Sequence, residues 1–240
     1  MAVSITLPRV LCVIPARGGS KGLPGKNLME IDGESLVARA VRHARESHVC
    51  STIVVTTDSA EIANEARRAG AEVPFLRAQE LAGDLSTTEE TLRDALIRTE
   101  SALGVTFDIC VFISPTDIFR RPEWIAQCVR ALNDDESLES AFVGLATHKN
   151  FWEQDESGKW SRLRDWMSVY SSRQVRRKIV REDTGLASAS RAEIWRKGRR
   201  IGDTVSVIVT DDDFTSIDIH KSEDLQLARS AISIRGGRRG

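Results

Sequence analysis

Short apolar runs alternate with longer stretches of helical period along almost the whole chain, and this alternation most constrains the fold. Val10 to Ile14, Thr52 to Thr56 and Ile109 to Ile113 read as strands, the last buried on both faces. Between the first two, Leu36, Val37, Ala40, Val41 and Ala44 share one helical face behind Ser35, a good N-cap, and predict a helix to about Ser47. Asp58 with Glu61, and Ser86 with Glu89, have capping-box spacing before further apolar faces, and Gly70 suits a helix end. Pro122 suits the first turn of another helix. Strands crossing over through helices imply an α/β fold with a mainly parallel sheet. Ala141 to Ala146 extends the pattern, which then breaks: residues 148 to 181 hold Trp152, Trp160 and Trp166 but little periodicity, and read as an insertion. Regularity returns with Leu186 to Ser190, Val205 to Val209 and a helix from Ser222 to about Ile232, before a Gly/Arg tail from Arg235 to Gly240 expected to fray. The 240 residues fit one domain, 1 to 240, carrying that insertion.

Composition removes several classes of function. With 34 Lys plus Arg against 35 Asp plus Glu, the net charge of −1 argues against a nucleic-acid-coating protein, and no recognised binding motif accompanies the basic segment discussed below. The longest apolar runs fall far short of the ~20 residues of a membrane-spanning helix. Arg9 interrupts the only candidate secretory segment, so the expectation is a cytoplasmic protein with no membrane partner. Cys12, Cys50, Cys110 and Cys128 form no Cys-x-x-Cys pair, which predicts neither a zinc site nor disulfides.

The first strand runs straight into Pro15-Ala-Arg-Gly-Gly-Ser-Lys-Gly-Leu-Pro-Gly-Lys-Asn27, thirteen residues with four glycines and three cations. Glycines let backbone N–H groups approach anionic oxygens, Arg grips them bidentately, and Lys follows developing charge. A loop at the carboxyl end of a strand is also where open α/β sheets bind ligands. The spacing is neither Gly-x-Gly-x-x-Gly nor that of a Walker A sequence. The alternative is an ordinary glycine-rich turn.

From Ile14 to Asn27 this segment resembles the opening signature of the acylneuraminate cytidylyltransferases, enzymes that join a sialic-acid-like sugar acid to CMP. The similarity continues at Val54-Val-Thr-Thr-Asp58, at Arg77 with Glu80-Leu-Ala-Gly-Asp84, at Pro115-Thr116, and at Ser216-Ile-Asp-Ile219 followed by Glu223-Asp-Leu225. The resemblance implies a Rossmann-like three-layer α/β/α nucleotidyltransferase that uses CTP and Mg²⁺ and forms a homodimer through an arm, here residues 148 to 181. It implies that Arg17, Gly18, Ser20 and Lys21 hold the triphosphate, with Arg17, Lys21 and Asp218 catalytic, and that Asn27, Arg77 and Thr88 surround the nucleoside. Among the twelve Lys and Arg residues from Arg162 to Arg200, it makes Arg173 and Arg181 the candidates for the sugar-acid carboxylate.

The chain departs from the family at three places, one being Thr184-Gly185 where the family has Asn-Gly before its next strand, which alters a direct polar contact to the sugar. The usual Asp-x-Asp near the last strand reads Asp218-Ile219-His220, and the usual Gln-Pro-Thr-Ser-Pro-Leu-Arg reads Ser114 to Arg120 with Asp117 in it. Mg²⁺ prefers hard oxygen donors, so Asp117 is the candidate to join Asp218 as a metal ligand; its alternative is a helix-entry cap before Pro122. His220 is then a supporting or structural group. Asp211 to Asp213 reads as a solvated turn. The expected activity is transfer of CMP from CTP to the anomeric hydroxyl of a nonulosonic acid, with release of pyrophosphate, for surface polysaccharide or glycan assembly. The alternatives are another sugar acid such as 3-deoxy-manno-octulosonate, another base, or a nucleotide-binding module without chemistry.

Overall fold

The computed structural model describes residues 8–83, 86–172 and 174–236. In chain order the elements are β1 (Val10–Pro15), β2 (Glu30–Ile31), β3 (Glu34–Ser35), α1 (Leu36–Glu46), β4 (Thr52–Thr56), α2 (Ala60–Ala69), α3 (Thr88–Leu103), β5 (Ile109–Phe112), α4 (Pro122–Asp134) and β6 (Ser140–Thr147). There follow β7 (Trp152–Gln154), β8 (Trp160–Arg162), β9 (Ile179–Glu182), β10 (Ser188–Arg191), α5 (Ala192–Arg196), β11 (Val205–Thr210) and α6 (Ser222–Gly236). A seven-stranded sheet runs β11-β6-β10-β5-β1-β4, with β9 also pairing β6. β4, β1 and β5 are mutually parallel, as are β6 and β11, while β10 enters antiparallel between β5 and β6.

The period of two in β1 divides the core. Val10, Cys12 and Ile14 pack with α1, α2 and α4 on one face. Leu11 and Val13 pack with Leu92 and Leu96 of α3 and Trp195 of α5 on the other. This is the expected three-layer α/β/α arrangement, because a strand buried on both faces must be covered on both. Among the described residues no helix is long and apolar enough to cross a membrane. All four cysteines are free thiols.

Several local expectations shift. Ser59, not Asp58, caps α2, its side chain accepting from Ile62 N–H. The capping box on α3 is Thr87 with Glu90, not Ser86 with Glu89. Asp117 does not cap α4, whose N-cap is Arg121 with no side-chain hydrogen bond. β10 begins at Ser188 rather than Leu186. Arg235 belongs to α6, where it donates to Asp212 and stacks against Phe119 and Phe214, instead of fraying. His43 of α1 is buried. The Asp211 to Asp213 turn holds, with Asp212 accepting from Phe214 N–H. In the 148 to 181 segment β7 and β8 form a small hairpin, but Ile179 onward joins the main sheet against β6. Arg173, Asp84 and residues 237 to 240 lie outside the described residues.

Candidate active site

The glycine-rich loop leaves β1, between β5 and the edge strand β4, and is tied at three points. Gly18 N–H donates to Asp58 Oδ1 at 2.8 Å, Asn27 Nδ2 donates to the Arg17 carbonyl at 2.9 Å, and Lys26 Nζ donates to the Ile219 carbonyl at 3.0 Å. A Cβ at Gly22 would stand 2.6 Å from the His220 carbonyl oxygen, so only glycine lets the loop approach the segment after β11 this closely. Asp58 is therefore occupied with the loop, which leaves the capping of α2 to Ser59. Arg77 is buried and donates to Thr56 Oγ1 at 3.2 Å and to the Thr56 carbonyl. Burial pushes its guanidinium down to about 10, against the pull of Asp58.

A cavity of about 640 Å³ opens over the carboxyl ends of β1 and β5. The residues singled out from the sequence meet there: Arg17, Ser20, Lys21 and Asn27 from the loop, Arg77 beyond β4, and Thr88 at the start of α3 line it. So do Asp117 and Asp218, with His220 beside them. Gly18 lies behind the lining against Asp58. Arg181 is not among the lining residues; its Nε and Nη2 donate to Asp183 at 2.9 and 3.0 Å.

Asp117 is positioned by the turn after β5. Arg120, buried, donates to the carbonyls of Ser114 and Leu186 and, at 2.7 Å, to that of Gly185. A Cβ on Gly185 would collide with Asp117 Oδ2, so glycine there makes room for the carboxylate. Burial, then the charge of Asp218, push the Asp117 carboxyl up to about 7, with Arg120 opposing. Asp218 Oδ2 lies 2.7 Å from His220 Nε2, while its Oδ1 is buried without a hydrogen-bond partner. Two carboxylates, Asp117 disfavoured in its charged form by Asp218 and Asp218 with an orphaned oxygen, form a hard donor set suited to a divalent cation. The described residues hold no cluster of three or more His, Cys, Asp or Glu able to take a metal, but Mg²⁺ beside phosphate needs only one or two protein carboxylates.

Sequence reasoning gave no individual place in the site to Lys26 or Arg120, and read Asp58 only as a helix cap and a member of a family-like motif, although all three hold the loops that carry the site; Arg200, which lines the cavity, was not singled out either. Lys26 and Arg120 stood inside the family-like motifs, and that was their only signal.

Known proteins resemble this chain in sequence and in fold. Residues 11–216 match the family described as cytidylyltransferase. A CMP-N,N'-diacetyllegionaminic acid synthase of Legionella pneumophila is 45% identical over 121 residues, 50% of this chain and 52% of the relative. An N-acylneuraminate cytidylyltransferase of Escherichia coli O18:K1:H7 is 31% identical over 122 residues, 51% of this chain and 28% of the relative. The aligned region thus spans about half the length of the first relative and less of the second. A solved CMP:2-keto-3-deoxy-manno-octonic acid synthetase complexed with CTP superposes with a TM-score of 0.69 over 95% of this chain and 99% of that one, at 15% identity, a likeness of fold.

Proposed function

The chain belongs to the cytidylyltransferase family, and from that premise we propose that it transfers CMP from CTP to the anomeric hydroxyl of a sialic- or legionaminic-type nonulosonic acid, releasing pyrophosphate. The observation that carries the reading is one continuous cavity joining the cationic loop to the Asp117 and Asp218 carboxylates. In that reading the anomeric oxygen forms a bond to the α-phosphorus, its hydroxyl proton passing to solvent, as the bond to the pyrophosphate oxygen breaks. The obstacle is charge: an anionic acceptor meets an anionic triphosphate, and more negative charge grows on the leaving group. Arg17 and Lys21 supply positive charge there, while Ser20 and the loop's backbone N–H groups orient phosphate oxygens. Asn27, Arg77 and Thr88 surround the nucleoside. Asp117 and Asp218 would hold Mg²⁺, which when bound neutralises charge on the phosphates and polarises the reacting phosphorus. His220 fixes the Asp218 carboxylate and leaves its second oxygen for the ion.

The reading extends to a cytoplasmic homodimer whose partner contact is the arm. Exposed apolar groups cluster on it, with Val169, Tyr170 and Val175 at 68%, 70% and 75% exposure. A panel crossing nucleoside triphosphates with sugar acids tests the assignment. CTP with a nine-carbon 2-keto acid should give the highest kcat/KM. Preference for 3-deoxy-manno-octulosonate or another base would reassign the substrate, and CTP binding without turnover on any acid would reduce the chain to a binding module.

A further inference from the structure

The strand order gives the cavity two halves. Beside β1 and β4 its lining is the glycine-rich loop, Arg77 and the start of α3; beyond the ends of β5 and β9 it changes to Phe112, Asp117, Glu182, Asp183 and Gly185, with Arg200 as the cation. Arg200 comes from the segment between α5 and β11 and is anchored through its backbone. Its carbonyl accepts from Ser190 Oγ at 2.6 Å and from Trp195 Nε1 at 3.2 Å, which ties it to β10 and α5. The guanidinium carbon stands 5.5 Å from the centre of the Phe112 ring.

Two glutamates form ion pairs with Arg200 without hydrogen-bonding to it. Glu89 lies 3.6 Å from its Nε and Glu182 lies 3.7 Å from its Nη2, both beyond hydrogen-bond length, and Nε is buried without a hydrogen-bond partner. The two glutamate side chains are 37% and 48% exposed, so each is able to turn into solvent when another anion arrives. A guanidinium fixed by its backbone, laid against an aromatic ring and held by two partly exposed ion pairs without a side-chain hydrogen bond is suited to exchange them for a ligand carboxylate. Arg181 differs in both respects, being engaged twice by Asp183 and absent from the lining.

We propose that Arg200 binds the carboxylate of the acceptor in the half of the cavity away from the triphosphate, and so selects sugar acids over neutral sugars. The inference rests on the reading of the acceptor as a sugar acid. Steady-state kinetics of the full chain with CTP test it, comparing wild type, Arg200→Lys and Arg200→Met on the preferred sugar acid and on its carboxamide. Hydrogen bonds to a charged group are worth enough that Arg200→Met should raise the acceptor KM by roughly 10- to 100-fold, with the KM for CTP and the thermal midpoint little changed. Arg200→Lys should fall between, since charge remains but the fork is lost. Wild type should discriminate strongly against the carboxamide, and Arg200→Met should lose that discrimination. An unchanged acceptor KM, a parallel rise in the KM for CTP, or an unchanged acid-to-carboxamide ratio in a folded variant overturns the proposal. If Arg200→Met does not fold, the wild-type ratio and Arg200→Lys decide: equal use of acid and carboxamide by wild type, or a Lys variant identical to wild type, overturns it. Wild type that turns over no sugar acid overturns the functional reading and this inference with it, whereas active wild type with insensitive Arg200 variants overturns this inference alone.

Discussion

Asp117 and His43 are both buried titratable groups, and they act on stability with opposite signs. Burial, aided by Arg120, Arg42 and Arg39, pushes the His43 imidazole down to about 2. An unfolded histidine near 6.5 takes up a proton that the native one refuses, so this contribution is present above about pH 6.5 and is lost, by about 1.4 kcal/mol per unit, as pH falls. Asp117, pushed up to about 7 mainly by burial, holds a proton in the native state that an unfolded aspartate releases near 4. Its contribution is present below that value and is lost as pH rises through 7, so between roughly 4 and 6.5 the two proton uptakes cancel. Asp117→Asn should therefore expose the His43 slope. Metal-free denaturant titrations near pH 7 and near pH 5 should show the variant losing about 2 kcal/mol more than wild type; equal losses would contradict the balance. The same carboxylate is expected to matter for metal. Asp117→Asn and Asp218→Asn should each raise the Mg²⁺ concentration for half-maximal turnover by at least about tenfold, with His220→Asn milder because it acts through Asp218. The reverse order would make His220 the ligand. Lys21→Ala should lower kcat by ~10²–10³, the usual cost of one well-placed electrostatic group, and near-normal turnover in a folded variant would remove it from the chemistry.

Elements show why sequence spacing placed caps one residue off. Ser86-x-x-Glu89 and Thr87-x-x-Glu90 both have the form of a capping box, but Ser86 Oγ donates to the Glu80 carbonyl at 2.6 Å and is already used by the preceding turn. Thr87 is left to accept from Glu90 N–H at 3.1 Å and Glu90 to accept from Thr87 N–H at 2.9 Å. Thr87→Ala should cost about 1 kcal/mol in denaturant unfolding, while Ser86→Ala should leave α3 capped. The same competition moved the α2 cap from Asp58 to Ser59, since Asp58 had a partner forty residues away. A local pattern cannot register a long-range competitor. The arm illustrates the converse: lost periodicity marked residues 148 to 181, and the structure assigns their last three to the main sheet, where β9 pairs with β6. Deleting 151 to 176, which removes Val169, Tyr170 and Val175 and spares β9, should convert dimers to monomers in light scattering if the arm makes the partner contact. A deletion variant that stays dimeric would place the contact elsewhere.

At the level of the whole molecule, the alternation of apolar runs was enough for an α/β fold with a mainly parallel sheet, and the family resemblance supplied the three layers, in which Val10 and Leu11 of a doubly buried strand are covered on opposite faces. The antiparallel insertion of β10 between β5 and β6 was not legible, since pairing direction depends on contacts far apart in sequence. For the same reason the cationic loop was visible as a motif and Arg200 was not: the loop is contiguous, whereas the second half of the cavity is assembled from the ends of β5 and β9, the turn after β9 and the segment before β11. The central claim is that this assembly couples a triphosphate to a sugar acid. The most direct measurement follows pyrophosphate and product mass together, with CTP and Mg²⁺, in the presence and absence of a nine-carbon 2-keto sugar acid. The account predicts one pyrophosphate for each CMP-sugar formed and none from CTP alone. Pyrophosphate release without the acid, or CTP that binds and is never turned over with any acid, would contradict it.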